Sequence, residues 1–246
     1  MEIFPLGDSA IVIRLGASID EATHRRVRAL CARLEERPVP GMTGYVPAFA
    51  SVTVHYDPAR VGPAAAERGA ANPYDRVAAA LAPLLERLDT TAPLPAREVE
   101  VPVVYGGEFG PDLDTVAAHA GLSPDDVVAL HASAEYRVSM IGFAPGFPYL
   151  AGLPERIAAP RRPTPRTVVP PGSVGIAGRQ TGIYPIESPG GWQIIGRTPA
   201  RLFAPDLDPP ALLRVGDRVR FRPIAAEAWA DAAAQADGAP QPGRGA

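Results

Sequence analysis

The sequence of 246 residues contains no lysine, because all 24 residues counted as lysine or arginine are arginine. A Walker-type phosphate loop requires a lysine, and so does the Schiff base that holds pyridoxal phosphate. Neither kind of site can be formed by this chain. Any cationic contact to a phosphate or a carboxylate must therefore come from arginine, whose guanidinium offers two parallel donors to such groups.

Cysteine is almost absent as well, since Cys31 is the single one. An internal disulfide and a multi-cysteine zinc or iron–sulfur site are thereby excluded. Of the four histidines, His24, His55 and His119 have no partner at a metal-ligand spacing. We therefore expect no metal to be bound by this chain.

The sequence also lacks long apolar runs and an excess of positive charge. No run of about 18 apolar residues is present to span a bilayer, and the first ten residues do not have the pattern of a signal peptide. The net charge of −3 argues against nucleic acid as a partner. We expect a soluble, cytoplasmic protein that binds neither membranes nor nucleic acid.

The first part of the chain has the pattern of a small α/β domain over 1–92. Alternating β-branched residues predict strands at 9–15 and 51–56. Ser18 and Glu21 predict a capping box at the start of the first helix, and Asn72 with Pro73 predicts the start of the second. Residues 93–97 are predicted to be a linker.

Beyond that linker, from 142 to 210, prolines and glycines punctuate short apolar stretches, as is typical of a small β-barrel. We predict this barrel over 98–225, with short helices near 112–120 and 123–132. Residues 212–222 predict a hairpin that turns at Gly216-Asp217. The tail, 226–246, is expected to be loosely ordered, with one Ala-rich helix. The predicted fold class is α+β.

The segment 140–198 combines glycine, proline, aromatic and arginine residues in a way that turns alone do not require. Its motifs are GFAPGFPYL from 142, PGSVGI from 171, QTGIYP from 180 and PGGW from 189. With these motifs the chain resembles the allophanate hydrolase subunit 1 and kinase-inhibitor family, whose best-defined members are the B subunits of bacterial ATP-dependent 5-oxoprolinase. The resemblance extends to about residue 223 and includes GPDL at 110–113.

The resemblance implies an N-terminal α/β domain followed by a cyclophilin-like β-barrel. It further implies a complex with the C and A subunits of 5-oxoprolinase, in which 5-oxo-L-proline is hydrolysed to L-glutamate with consumption of ATP. We expect the chain to be inactive alone, and whether ATP binds this subunit is left open. The same resemblance allows two alternative functions. One is an inhibitor of a sensor histidine kinase, and the other is the carboxyltransferase component of a urea carboxylase or allophanate system.

A site for a small anionic substrate needs cations and hydrogen-bond donors. Arg166, between prolines and an apolar run, is the first candidate, with a solvated or partner-facing arginine as the alternative. His131 is the second, as a proton carrier or a ligand for an anionic group, or simply as a capping or packed residue. The aromatic residues could line a groove or a subunit interface, and the glycines could serve only barrel closure. The predicted groove residues are Phe143, Pro145, Phe147, Arg166, Gln180, Tyr184, Gly190, Gly191 and Trp192.

Charge is distributed unevenly along the chain. Residues 155–222 contain 11 arginines against 5 acidic residues, although the whole chain is acidic. A basic barrel suits an anionic ligand, but it equally suits an acidic partner protein.

Overall fold

The structure is a computed structural model that describes residues 1–18, 20–61, 72–88 and 96–238, with side chains as far as residue 235. The chain divides into two compact units, Met1–Pro95 and Ala96–Ala246. Within the described residues, no helix is both long enough and apolar enough to cross a membrane.

The first unit is a four-stranded antiparallel sheet with two helices. The strand order is β1-β2-β4-β3, and the helices pack their apolar side chains against it to form one core that includes Ile11, Ile13, Leu30 and Leu81. The elements are β1 (Glu2–Pro5), β2 (Ala10–Arg14), α1 (Glu21–Glu36), β3 (Met42–Pro47), β4 (Ser51–Tyr56) and α2 (Pro73–Leu85).

The helix starts in this unit follow from their capping residues. At α1 the Asp20 carboxylate accepts from the Thr23 amide at 2.7 Å, while the Ser18 hydroxyl donates to Asp20. The predicted capping box at Ser18 was therefore wrong, because the aspartate two residues later caps the helix instead. The predicted cap at Asn72 is confirmed, since its side chain accepts from the Asp75 amide at 2.9 Å.

The second unit is a closed seven-stranded barrel with helices around it. The strands follow one another in the order β10-β7-β6-β13-β5-β12-β9, and β8 and β11 form a separate two-stranded sheet. The predicted α+β class and the C-terminal barrel are confirmed. The elements are β5 (Glu98–Tyr105), α3 (Leu113–Ala120), α4 (Pro124–Ser133), β6 (Tyr136–Ile141), β7 (Pro148–Ala151), β8 (Arg166–Val169), β9 (Ser173–Ala177), β10 (Gln180–Ile183), β11 (Ser188–Gly190), β12 (Gln193–Arg197), β13 (Arg218–Pro223) and α5 (Trp229–Gly238).

The hairpin predicted at 212–222 is wrong, because only β13 is a strand there, parallel to β5 and antiparallel to β6. The buried Asp217 explains the difference. Its carboxylate accepts from Arg97 Nε at 3.0 Å and from the Arg214 amide at 2.7 Å. These bonds hold the preceding residues as a loop, and β13 already pairs with β5 on one side and with β6 on the other.

The buried residues of this unit form two groups. The barrel interior is aliphatic for the most part and includes Val101, Val138, Leu150 and Ile176. The second group, which we call the aromatic cluster, comprises Phe147, Val169, Ala177, Tyr184, Trp192 and Ile194, with Ala144 and Tyr149 packed against it. Most of the residues predicted to line a groove belong to this cluster or lie beside it.

Candidate functional site

The aromatic cluster is centred on Phe147, which precedes β7. The ring of Phe147 lies 4.9 Å from Tyr149, 5.2 Å from Tyr184 and 5.5 Å from Trp192, measured between ring centroids. Most of these contacts are edge-to-face or tilted, which is the arrangement that the charge distribution of aromatic rings favours. Phe147, Tyr184 and Trp192 are buried, so they form the packed centre of the candidate site.

Phe143 is the exposed member of this group. Its side chain is 66% exposed, although its ring contacts Phe147 at 5.5 Å and Tyr184 at 6.4 Å. Its φ is +71°, a left-handed conformation that costs a non-glycine residue about 1–2 kcal/mol. An exposed apolar ring held in an unfavourable backbone conformation indicates a constraint beyond packing.

Gly190 and Gly191 lie beside the cluster in different ways. A Cβ atom on Gly190 would lie 2.4 Å from the Tyr184 hydroxyl oxygen, so only glycine lets β11 approach the tyrosine ring. The Gly191 carbonyl accepts from the Arg162 amide at 2.7 Å. Both glycines therefore act through their backbone, one by close approach and the other by a hydrogen bond.

Arg166 lies at the start of β8, where it is committed to an ion pair. Its two terminal nitrogens donate to the Asp112 carboxylate at 2.7 and 2.8 Å. Arg162 donates to the same carboxylate at 2.8 Å, as does the Ile194 amide at 2.7 Å. We refer to Asp112, Arg162 and Arg166 as the Asp112 cluster. A guanidinium already paired in this bidentate way is poorly suited to bind a substrate as well.

The charge of the Asp112 carboxylate is stabilised where it lies. Burial alone raises the pKa of Asp112, but the hydrogen bonds from Arg166 and Ile194 and the two arginine charges hold it below its ordinary value. The carboxylate is thus ionised at neutral pH, and two guanidinium groups face one negative charge. Because their side chains are 33% and 25% exposed, the excess positive charge reaches the surface.

His131, near the end of α4, is 0% exposed. Its Nδ1 lies 2.8 Å from the Tyr105 hydroxyl, and its Nε2 lies 3.0 Å from the Thr181 hydroxyl. Thr181 donates its proton to the Gly175 carbonyl at 2.9 Å, so Nε2 of the histidine donates and Nδ1 accepts. The imidazole also stacks on Phe221 at 4.5 Å.

Burial lowers the pKa of His131 to about 3, so the imidazole is neutral at physiological pH. A general acid or base must come within hydrogen-bond reach of the proton that it transfers. Both ring nitrogens of His131 are occupied by the protein itself. The arrangement therefore supports the packed residue rather than the proton carrier.

Two of the predicted groove residues are not members of the buried cluster. Pro145 is exposed in the loop between β6 and β7, and Gln180 is half-buried at the start of β10. In the described ranges, neither makes a hydrogen bond or a ring contact with the aromatic residues. No group of three or more His, Cys, Asp or Glu side chains that could hold a metal occurs among the residues described.

Sequence reasoning missed Asp112, although GPDL was among the motifs of the resemblance. Arg162 lies 50 residues away along the chain and Arg166 lies 54 residues away. A pairing over that separation leaves no local pattern. The sequence shows only a single aspartate at the start of a predicted helix, and an aspartate in that position is most simply interpreted as a helix cap. The structure shows no side-chain cap bond from it.

A closed barrel that carries this aromatic cluster places the chain in a known class of domain. Residues 1–213 match the family model described as the carboxyltransferase domain, subdomain C and D. The urea carboxylase of Kluyveromyces lactis has the same fold, with a TM-score of 0.65 at 20% identity over 96% of this chain and 23% of that one.

Two curated relatives are more similar. The chain is 50% identical to the 5-oxoprolinase B subunit of Bacillus subtilis, over 89% of this chain and 91% of the relative. It is 45% identical to the protein of the same name from Escherichia coli O157:H7, over 89% and 94%. The chain therefore belongs to the family of 5-oxoprolinase B subunits, within the carboxyltransferase-type domains. One solved structure is 39% identical to this chain over 89% of its length, with a TM-score of 0.73. The matched region is 40% of that longer chain.

Proposed function

We propose that this chain is the B subunit of a heteromeric, ATP-dependent 5-oxoprolinase that hydrolyses 5-oxo-L-proline to L-glutamate. The observation that carries the proposal is the identity of 50% and 45% with two proteins of that name, over nine-tenths of their length. The aromatic cluster and the basic surface beside it are consistent with a small anionic substrate. The activity requires partner proteins, which we take to be the C and A subunits of the enzyme.

Among the described residues, the helix N-termini and the Asp112 cluster are poorly suited to bind a nucleoside triphosphate. Helix N-termini are common phosphate sites because their free amides point outward, yet α1, α2, α3 and α4 each carry an acidic residue in the first turn. These carboxylates repel phosphate. The arginines of the Asp112 cluster share a carboxylate already. We therefore assign ATP binding to the partner subunits and substrate contact to this one.

Reconstitution tests the proposal directly. The chain is coexpressed with the A and C subunits from the same genome, and glutamate formation from 5-oxo-L-proline is measured with and without ATP. We expect glutamate to form only when ATP and all three proteins are present. Equal activity with this chain omitted would show that it is not a functional part of the enzyme.

The two alternative functions have no observation of their own to favour them. The likeness to the urea carboxylase, at 20% identity, supports the fold alone. Inhibition of a sensor histidine kinase would require a kinase-facing surface, and no contact within the described residues distinguishes one. An autophosphorylation assay in which micromolar chain abolishes kinase activity, together with an inactive three-protein mixture, would favour the inhibitor over the enzyme component.

A further inference from the structure

Arg161 lies beside the aromatic cluster because both of its neighbours are fixed there. The Arg162 amide donates to the Gly191 carbonyl at 2.7 Å. On the other side, Gln193 Nε2 donates to the Pro160 carbonyl at 3.1 Å. The residue between these two bonds is Arg161, so its backbone runs alongside Trp192 at the edge of the cluster.

The two adjacent arginines have different surroundings. Arg162 is bound to the buried Asp112 carboxylate. Arg161 is exposed, and within the part of the chain that the structure describes it has no hydrogen bond and no ion pair. Burial raises the pKa of both Tyr149 and Tyr184, and the nearby charge of Arg161 opposes that rise in each case. The guanidinium thus lies near both phenol groups, with its donors free.

An exposed guanidinium and an exposed aromatic ring, both at the edge of the same aromatic cluster, together have a specific ligand chemistry. Guanidinium binds a carboxylate through two parallel hydrogen bonds, and the face of Phe143 offers an apolar contact for a flat ring. These features suit a small flat ring that carries a carboxylate, and the lactam acid of the proposed function is such a ligand.

We propose that Arg161, with Phe143, forms the subsite that binds the carboxylate-bearing end of 5-oxo-L-proline. This inference rests on the proposed function and names the part of this chain that recognises the substrate. In this proposal Arg161, rather than Arg166, is the cation that binds the substrate. Both terminal nitrogens of Arg166 are already bound to Asp112.

The test uses Arg161→Ala, with Arg161→Lys as the conservative variant. In the reconstituted complex we expect Arg161→Ala to raise KM for 5-oxo-L-proline about 10- to 100-fold, the loss typical of one charged hydrogen-bonded pair. The effect on kcat should be smaller, and the lysine variant should recover part of the loss. Arg179→Ala is the matched control, because that arginine is also exposed and pairs only with the exposed Glu155 among the described residues.

A second readout does not depend on turnover. Equilibrium dialysis measures binding of labelled 5-oxo-L-proline to the complex without ATP, in competition with 2-pyrrolidinone, the same lactam without a carboxylate. We expect the wild type to prefer the acid and Arg161→Ala to lose that preference.

The outcomes separate the two proposals. An active complex in which Arg161→Ala changes neither KM nor the preference overturns the subsite and leaves the proposed function standing. An inactive complex that still prefers the acid through Arg161 overturns the proposed function but supports the carboxylate subsite. An inactive complex without any preference overturns both.

Discussion

Two buried polar residues of the barrel unit, His131 and Asp112, are stabilised in opposite charge states, one neutral and the other ionised. Each is almost completely removed from solvent, and each is fully hydrogen-bonded. His131 is kept neutral by burial, between the Tyr105 and Thr181 hydroxyls. Asp112 is kept charged by two arginines and a backbone amide.

The difference distinguishes a residue that only supports the fold from a cluster that also positions the binding surface. The contacts of His131 are closed within the protein, so this residue joins α4 to the barrel and offers nothing to a ligand. The Asp112 cluster balances one negative charge against two positive ones, and it fixes the strand that borders the aromatic cluster. The segment that includes Arg162 also fixes Arg161. Buried ionisable groups here organise the site without being its reactive part.

Removal of the Asp112 carboxylate should have the largest effect. Asp112→Ala leaves two guanidinium groups without their counter-charge and the Ile194 amide without an acceptor. We expect a loss of about 3–5 kcal/mol in the free energy of unfolding, the usual result of breaking a buried pair, measured by urea denaturation. Arg179→Ala, which breaks only an exposed pair, should cost less than about 1 kcal/mol. Equal losses for the two variants would mean that the Asp112 cluster is not a structural centre.

Truncation of His131 should have a somewhat smaller effect. His131→Ala leaves a cavity beside Phe221 and removes the partners of two hydroxyl groups, which together predict a loss of about 2–4 kcal/mol. The exposed His119 provides the matched control, and His119→Ala should change stability by less than about 0.5 kcal/mol. A stable His131→Ala protein that has lost only activity would restore the proton-carrier hypothesis.

Stability should also depend on pH through His131. In the unfolded chain a histidine takes up a proton below about pH 6.5, whereas in the folded protein burial lowers the pKa of His131 to about 3. The unfolded state therefore binds the additional proton between these values, and stability falls as pH falls through that window. The slope is about 1.4 kcal/mol per pH unit.

Urea denaturation at pH 7, 6 and 5 measures that slope, and His131→Gln should reduce it by this amount. The contribution of Asp112, whose folded pKa is also lowered, is lost only nearer about pH 4 and below. A slope above pH 5 that is the same in His131→Gln and in the wild type would contradict a neutral buried imidazole.

The smallest effect on stability is expected at Phe143. Since its φ is positive and its ring is mostly exposed, Phe143→Gly relieves backbone strain and loses little burial. The free energy of unfolding should stay within about 1 kcal/mol of the wild type, while the affinity for substrate falls. Phe147→Ala, at the buried centre of the cluster, should cost about 3–5 kcal/mol. Comparable losses from both variants would assign Phe143 to the core rather than to the binding surface.

Much of the fold could be predicted from local signals. The Asn72 cap and the alternating residues of β2 and β4 each define an element within a few residues of sequence. Signals of this kind fail where the deciding contact is distant. The loop before β13 is held by Arg97, 120 residues away from Asp217, and no pattern within 212–222 reveals it.

The candidate site was predicted in part for the same reason. The aromatic residues of the 142–150 segment and Trp192 were found because their motifs are distinctive. The choice among the arginines could not be made from sequence, since Arg161, Arg162 and Arg166 differ only in what lies next to them. In the folded protein two of them pair with Asp112, and the third has no partner among the residues that the structure describes.

The most direct test of this division between framework and binding surface is a paired measurement on the reconstituted complex. KM for 5-oxo-L-proline and Tm are determined for Arg161→Ala and for His131→Gln. We predict that Arg161→Ala raises KM at least about 10-fold with an unchanged Tm, and that His131→Gln lowers Tm with an unchanged KM. The reverse pattern, with KM sensitive to His131 and insensitive to Arg161, would contradict the account.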